Sequence, residues 1–172
     1  VNTAAGFSIV SYEGDGGNGS TVGHGLSKAP EIVFIKNRDG TDGWIARTGV
    51  IDGSSDFLEP NNTNAKSDSG IALPSSTVIS LGSGGNDNSS GNSYIAYCWH
   101  SVDGYSKFGI YTGNGSSADG TFVYTGFRPA WLVIKRTDST SAWTMLDNLR
   151  GDNVLNPVEE YFAMQADDEE LN

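Results

Sequence analysis

A single cysteine, Cys98, is all that this 172-residue chain contains, which excludes an intrachain disulfide and any zinc site built on thiolates. Its place in the run Tyr94-Ile95-Ala96-Tyr97-Cys98-Trp99 reads as that of a small packing residue. Basic residues are few: ten Lys and Arg stand against 21 Asp and Glu, for a net charge of −11, and they are scattered along the chain. Phosphate contacts need clustered Lys and Arg, so no nucleic-acid partner is expected. Long apolar runs are missing as well. The longest, at 32–35 and 130–134, are far too short to span a bilayer, so no membrane partner is expected. The opening residues carry no charged-then-apolar secretion signal, and a start at Val1 fits a processed chain or a piece of a longer one.

Chemistry is as thinly supplied. His24 and His100 are the only histidines, and no Gly-x-Ser-x-Gly elbow, metal-spaced His pair, phosphate loop or dinucleotide fingerprint accompanies either. Nothing marks two of the carboxylates as a glycosidase pair. The sequence therefore predicts no catalytic residue, no enzyme and no cofactor. Calcium is the one ion that the loops invite: the Asp-rich turns at 39–43 and 15–18 offer oxygen ligands, although neither has EF-hand spacing and no nonapeptide repeat recurs.

Turn formers, by contrast, are plentiful. With 23 Gly and many Ser, Thr, Asn and Asp between short apolar runs, the chain turns often, an all-β profile. Its four Trp, seven Tyr and seven Phe supply enough apolar surface to fold, which sets aside the alternative of disorder and confines it mostly to 82–93.

The chain also repeats itself. Residues 6–16, GFSIVSYEGDG, return at 104–115 as GYSKFGIYTGNG, and 29–44, APEIVFIKNRDGTDGW, return at 128–143 as RPAWLVIKRTDSTSAW. Pro30/Pro129, Ile35/Ile134, Lys36/Lys135, Asp39/Asp138 and Trp44/Trp143 all stand 99 residues apart. A match across apolar, charged and aromatic positions in one register implies a duplicated unit. Each unit is predicted to open with a strand, 7–13 and 105–112, that meets a Gly-rich turn able to adopt positive φ. Each then passes Pro30 or Pro129, tolerated only at a strand start, into its most apolar strand, 31–37 or 130–136. A polar turn leads to the return strand that Trp44 or Trp143 begins. The first unit goes on through a short strand at 56–59, a loop at 60–70, a strand at 71–81 and a last one at 93–100. The second has a counterpart of only the first of these, at 160–164.

This predicts an all-β chain with an extension at 1–5, a first β-sandwich unit at 6–103 and a second, incomplete one at 104–172. Roughly 35 residues, about two strands at ordinary lengths, are wanting from the second unit. An unfinished sandwich exposes an open sheet edge that something must cover. Residues 1–5 are the first candidate donor strand, with the loop at 82–93 a competitor, and a head-to-tail exchange would make a homo-oligomer that propagates as a helical fibre unless rotation closes it into a ring. The rival account is that the chain is a fragment and the missing strands follow Asn172 in the intact protein.

Aromatic residues at the repeat positions have two uses. Trp44 and Trp143 read first as core residues in equivalent, mainly buried places; with Tyr12 and Tyr111 they are also the candidate glycan contacts. Asn18, Asn61, Asn88 and Asn114 head Asn-x-Ser/Thr sequons in loops predicted to be exposed, which makes them candidate glycosylation acceptors.

The pieces Tyr-x-Gly-Asn-Gly at 111–115, Phe-Val-Tyr-Thr-Gly-Phe-Arg-Pro-Ala-Trp at 122–131 and Ile-Lys-Arg-Thr-Asp-Ser-Thr at 134–140 resemble a repeat domain of unknown function found in tail-fibre and other virion structural proteins of aquatic bacteriophages. The first unit is similar through Gly23-His24-Gly25-Leu26, Ile35-Lys36-Asn37-Arg38 and Tyr94-Ile95-Ala96-Tyr97-Cys98. The resemblance covers about 6–165 and implies a jelly-roll or lectin-like β-sandwich repeated along an extracellular or virion-surface protein. Its implied role is as a structural protomer of a fibre or virion appendage. The alternative is a carbohydrate-binding module for host or environmental glycans.

Overall fold

In the run Ser93–Trp99 every second residue is buried, and that period-two pattern organises the molecule around one central strand. The computed structural model describes residues 1–149 and 161–165, and within them the chain is all β, with no helix. Accordingly no helix of the described residues is long and apolar enough to cross a membrane. The strands are β1 (Phe7–Glu13), β2 (Thr21–Gly23), β3 (Ile32–Asn37), β4 (Ile45–Thr48), β5 (Asp56–Leu58), β6 (Ser67–Asp68), β7 (Val78–Ser80), β8 (Ser93–Trp99), β9 (Trp131–Lys135), β10 (Trp143–Asp147) and β11 (Phe162–Ala163).

All pairings are antiparallel, in a six-stranded sheet β1-β8-β3-β4-β5-β6, a three-stranded sheet β11-β10-β9 and a ribbon β2-β7. β8 sits between β1 and β3, with Cys98 opposite both Ser8 and Val33, and Ala96 opposite both Val10 and Ile35. Residues opposite one another share a face. One face of the large sheet therefore carries Val33, Ile35, Ile45, Tyr94, Ala96 and Cys98, which form the first core with Leu26, Leu81 and Ile79 from the ribbon strand β7. Cys98 thus points to the face of Tyr94 and Ala96. The opposite face carries Phe34, Ala46 and Leu58, which form a second core with Trp143 and Val133 from the β9-β10 hairpin.

The chain leaves β1 for the ribbon through a loop rather than a tight hairpin to the next strand. Gly14 makes this possible: a Cβ there would lie 2.3 Å from the Ser89 carbonyl oxygen, so only glycine lets the loop approach so closely. The segment 82–93, the competing donor and the stretch to which the alternative of disorder is confined, is packed. Asp87 and Asn88 within it are buried, and Asn88 Nδ2 donates to Asp15 Oδ1, the Gly17 carbonyl and the Gly82 carbonyl at 2.8, 2.9 and 3.0 Å.

The two hairpins repeat. Ile35 faces Ile45 in the first and Ile134 faces Thr144 in the second, while Ile32 faces Thr48 and Trp131 faces Asp147, every residue displaced by 99. The repeated lysine has the same task in both: Lys36 Nζ donates to the Asn37 carbonyl at 2.7 Å, Lys135 Nζ to the Arg136 carbonyl at 2.6 Å.

The strands predicted at 105–112 and 71–81 are corrected. Only Val78–Ser80 of the latter is a strand. At 105–112 there is none; a single bridge joins Val102 to Ser106, and the residues beyond are irregular and exposed. The cause lies in the pairing. β1 is held by β8 alone, and the second repeat has no counterpart of β8 among these residues, so 105–112 has no ladder to join. Residues 1–5 are likewise no extended strand, since Asn2 and Phe7 exchange backbone hydrogen bonds of 2.8 and 3.1 Å and fold this segment into a turn on β1 itself.

Candidate functional site

The groups that carry chemistry elsewhere are here committed to structure. His24 Nδ1 accepts the Leu26 amide at 3.1 Å, which puts the proton on Nε2, 3.2 Å from the Ser75 carbonyl oxygen. His100 is buried, with Nδ1 2.9 Å from the Ser101 carbonyl oxygen and Nε2 without a partner. Burial pushes the Cys98 thiol up to about 12, so it is scarcely nucleophilic.

A cleft of about 370 Å³ opens beside β4, lined by Asp42, Arg47, Phe57, Ser69, Ile71 and Asp87 among others. Its strongest charges neutralise each other: the Arg47 guanidinium pairs with the Asp87 carboxylate, both nearly buried. Arg47 Nη1 also donates to the Ser80 carbonyl at 2.9 Å, and Asp87 Oδ2 accepts the Gly82 amide at 2.7 Å. The pair therefore ties the large sheet to the ribbon and to the loop after it.

Neither turn singled out for calcium gathers its carboxylates. Asp15 accepts from Gly17 N, Ser20 Oγ and Asn88 Nδ2, and these bonds, the Gly17 amide first, hold it below the usual carboxylate range. Asp39 is held low by the amide of Ser93, 2.6 Å away. Among the described residues no group of His, Cys, Asp and Glu is arranged to hold a metal ion. Where three carboxylates do converge, on Asp52, Asp56 and Asp68, the Lys66 ammonium sits between them at 2.7, 2.6 and 3.2 Å.

The four candidate glycan contacts separate. Trp143 is 4% exposed, its Nε1 donating to the Glu59 carbonyl at 3.0 Å, and so cannot meet a sugar. Tyr12 stacks on Tyr94 over the first core and donates to the Asp87 carbonyl at 2.6 Å; burial first, and the Asp87 charge second, push its phenol well above the ordinary range. Tyr111 is exposed but lies on no strand. Trp44 is half-buried, not buried like its repeat partner. It joins a row that the sequence did not single out, in which Trp44 meets Tyr97, Tyr97 meets Trp99 and Trp99 meets Phe7 at ring separations of 6.0, 6.0 and 5.1 Å. The signal was the alternation of β8, which puts Tyr97 and Trp99 on the face away from the first core.

Of the four sequons, Asn18, Asn61 and Asn114 are exposed. Asn88 is corrected: its amide nitrogen is buried with three acceptors and is out of reach in the folded chain.

The most distinctive surface lies in the second repeat. Val33 is 2% exposed in the first core, whereas Leu132 at the equivalent place is 42% exposed and its neighbour Trp131 60%. Among the described residues β9 has a partner strand, β10, on one side only. Phe122 and Tyr124, upstream of it, stand 86% and 80% exposed. One further difference marks the same edge. Asp39 accepts the backbone amide of Ser93, the first residue of β8, while Asp138, its repeat partner, turns to Arg136 Nε at 2.7 Å on the surface.

The whole chain, residues 1–172, matches the model of a family described as "Domain of unknown function (DUF7483)", and it belongs to that family. No curated protein and no solved structure matches it.

Proposed function

For this member of a family of unknown function, we propose a structural role: a protomer of an extracellular fibre or virion appendage, assembling through two tandem β-sandwich units. The observation that carries this reading is the edge of β9, which has no partner strand among the described residues, with the apolar surface beside it. Large apolar residues left at a sheet edge are a liability in a free monomer and an asset in an assembly. The acidic surface, net −11, supports solubility outside a nucleic-acid context. The resemblance to virion structural repeats supports the setting. The commitment of His24, His100 and Cys98 to packing and backbone bonds supports a non-enzymatic role.

Electron microscopy of the native material, with sedimentation of the purified protein, tests it. Elongated multi-copy assemblies are expected; particles of single copies, or a hydrolytic activity removed by replacing one carboxylate, would overturn it.

A second reading, glycan binding, is favoured by one observation, the half-exposed row Trp44-Tyr97-Trp99-Phe7, since sugar rings stack on aromatic faces. Saturable binding to a glycan panel that Trp99→Ala abolishes would establish it.

A further inference from the structure

We infer that the cleft beside β4 is a binding site for a single neutral sugar ring, held between the turn at 39–43 and the loop at 84–87. The site is independent of the structural role proposed above, and it puts sugar recognition, the second reading, in a cleft rather than on the aromatic row. Its volume of about 370 Å³ lies at the small end of ligand pockets, room for one ring rather than a chain of them.

One buried residue fixes both walls. Asn37, 1% exposed, ends β3. Its Oδ1 accepts the Asp39 and Gly40 amides at 3.0 and 3.2 Å, which shapes the turn. Its Nδ2 donates to Asp42 Oδ2 at 2.7 Å and to the Gly85 carbonyl at 3.1 Å, which ties the turn to the loop. The buried Tyr94 donates to the same carbonyl at 2.8 Å. Polar groups held in this way meet a ligand without first being ordered.

What they leave free is complementary to a sugar. Asp42 Oδ1 accepts no bond among the described residues, and the amides of Gly84, Gly85 and Asn86, which line the cleft, find no acceptor there. A Cβ on Gly85 would stand 2.9 Å from Asp42 Oδ1, so the glycine keeps the space beside that oxygen open. Ile45, Phe57 and Ile71 supply apolar lining. A hydroxyl both donates and accepts, so neighbouring hydroxyls satisfy a carboxylate oxygen and backbone amides together, while the C–H face of the ring packs on Phe57. An anion would meet two carboxylates, Asp42 and Asp87, against the one guanidinium of Arg47, and an amine would leave the amides unanswered.

The repeat shows that the hairpin does not need these groups. At the 99-residue offset Asn37, Asp42 and Arg47 become Arg136, Ser141 and Leu146, while the strands keep the same register. Only the first unit carries the set.

Titration of the isotope-labelled full chain with glucose, galactose, mannose and N-acetylglucosamine, followed by amide chemical shifts, tests the site; glucuronate and glucosamine are the charged comparisons. Saturable shifts of the Gly84, Gly85 and Asn86 amides are expected with at least one neutral sugar, and weaker binding with both charged ones. Asp42→Asn should weaken that sugar about tenfold or more, the scale of a lost charge-assisted hydrogen bond. Its carboxamide oxygen still accepts from Asn37, so the amide shifts of Ser93–Trp99 should stay those of the parent. Gly85→Ala, whose Cβ takes the ligand's place beside Asp42, should abolish binding with the same check on the fold. No saturable shift with any neutral sugar, tighter binding of glucuronate, or unchanged affinity in Asp42→Asn would overturn the inference. Shifts at the Trp99 indole in place of the loop amides would overturn it as well, while keeping sugar recognition on the aromatic row. None of these outcomes bears on assembly, which microscopy decides.

Discussion

Trp143→Ala tests how the second hairpin is fastened to the large sheet. The indole is 4% exposed, lies in one cluster with Ala46, Leu58, Phe34 and Val133, meets Phe34 edge to face at 6.3 Å and donates to the Glu59 carbonyl. Deleting a buried aromatic of this kind costs about 3–5 kcal/mol, and the lost hydrogen bond adds about 1 kcal/mol. Trp44 occupies the same place in the other hairpin but is half-buried, its ring tilted against Tyr97. Trp44→Ala should therefore cost only about 1–2 kcal/mol. The first core lies on the other face of the sheet, so the larger loss should fall on the hairpin. Urea denaturation of both variants, combined with hydrogen exchange, reads this directly. Amides of Trp131–Lys135 and Trp143–Asp147 should lose protection in Trp143→Ala while those of Ser93–Trp99 keep most of theirs. A Trp44 variant as damaging as the Trp143 variant, or undiminished protection of the second hairpin, would refute the reasoning.

Arg47→Ala leaves the Asp87 charge buried and unpaired, which should cost about 3–5 kcal/mol; the double variant Arg47→Ala/Asp87→Asn should recover part of it, as measured by denaturation. With its thiol raised to about 12, only about one Cys98 in 10⁴ is thiolate at pH 8, so a thiol reagent should react at the rate of unfolding, and rapid reaction of the native chain would contradict the burial. Asp52 is held low chiefly by its bond to Lys66, and Asp15 and Asp39 by backbone amides. Folded, these groups take up protons less readily than unfolded, so their contribution is present above about pH 4 and lost as pH falls further. Urea midpoints should drop on acidification through that range, less steeply in Lys66→Met.

Sequence pattern captured what is local and periodic. The alternation Tyr94, Ala96, Cys98 placed β8, Pro30 and Pro129 marked the entries to β3 and β9, and the 99-residue offset set the register of both hairpins. It misjudged what depends on partners distant in the chain. Residues 105–112 look as much like a strand as 7–13 do, but strand stability comes from the neighbour, and β8 serves only one of them. Trp44 and Trp143 are alike in sequence and differ in burial because one meets the second core and the other lies beside Tyr97. Asn88 sits in a polar, Gly-rich run that reads as exposed. Nothing local shows that Gly14 lets that run fold down over β1 and draw the amide inside.

The central claim is that 105–112 and the edge of β9 have no strand partner among the described residues and that assembly covers them. Hydrogen–deuterium exchange of the chain at a concentration where it is monomeric tests this most directly. Amides of Ser93–Trp99 should be slow, while 105–112 should exchange at the rate of an unstructured peptide and become slow only in the assembled state. Slow exchange across 105–112 in the monomer would mean that the segment already has its partner, and would contradict the account.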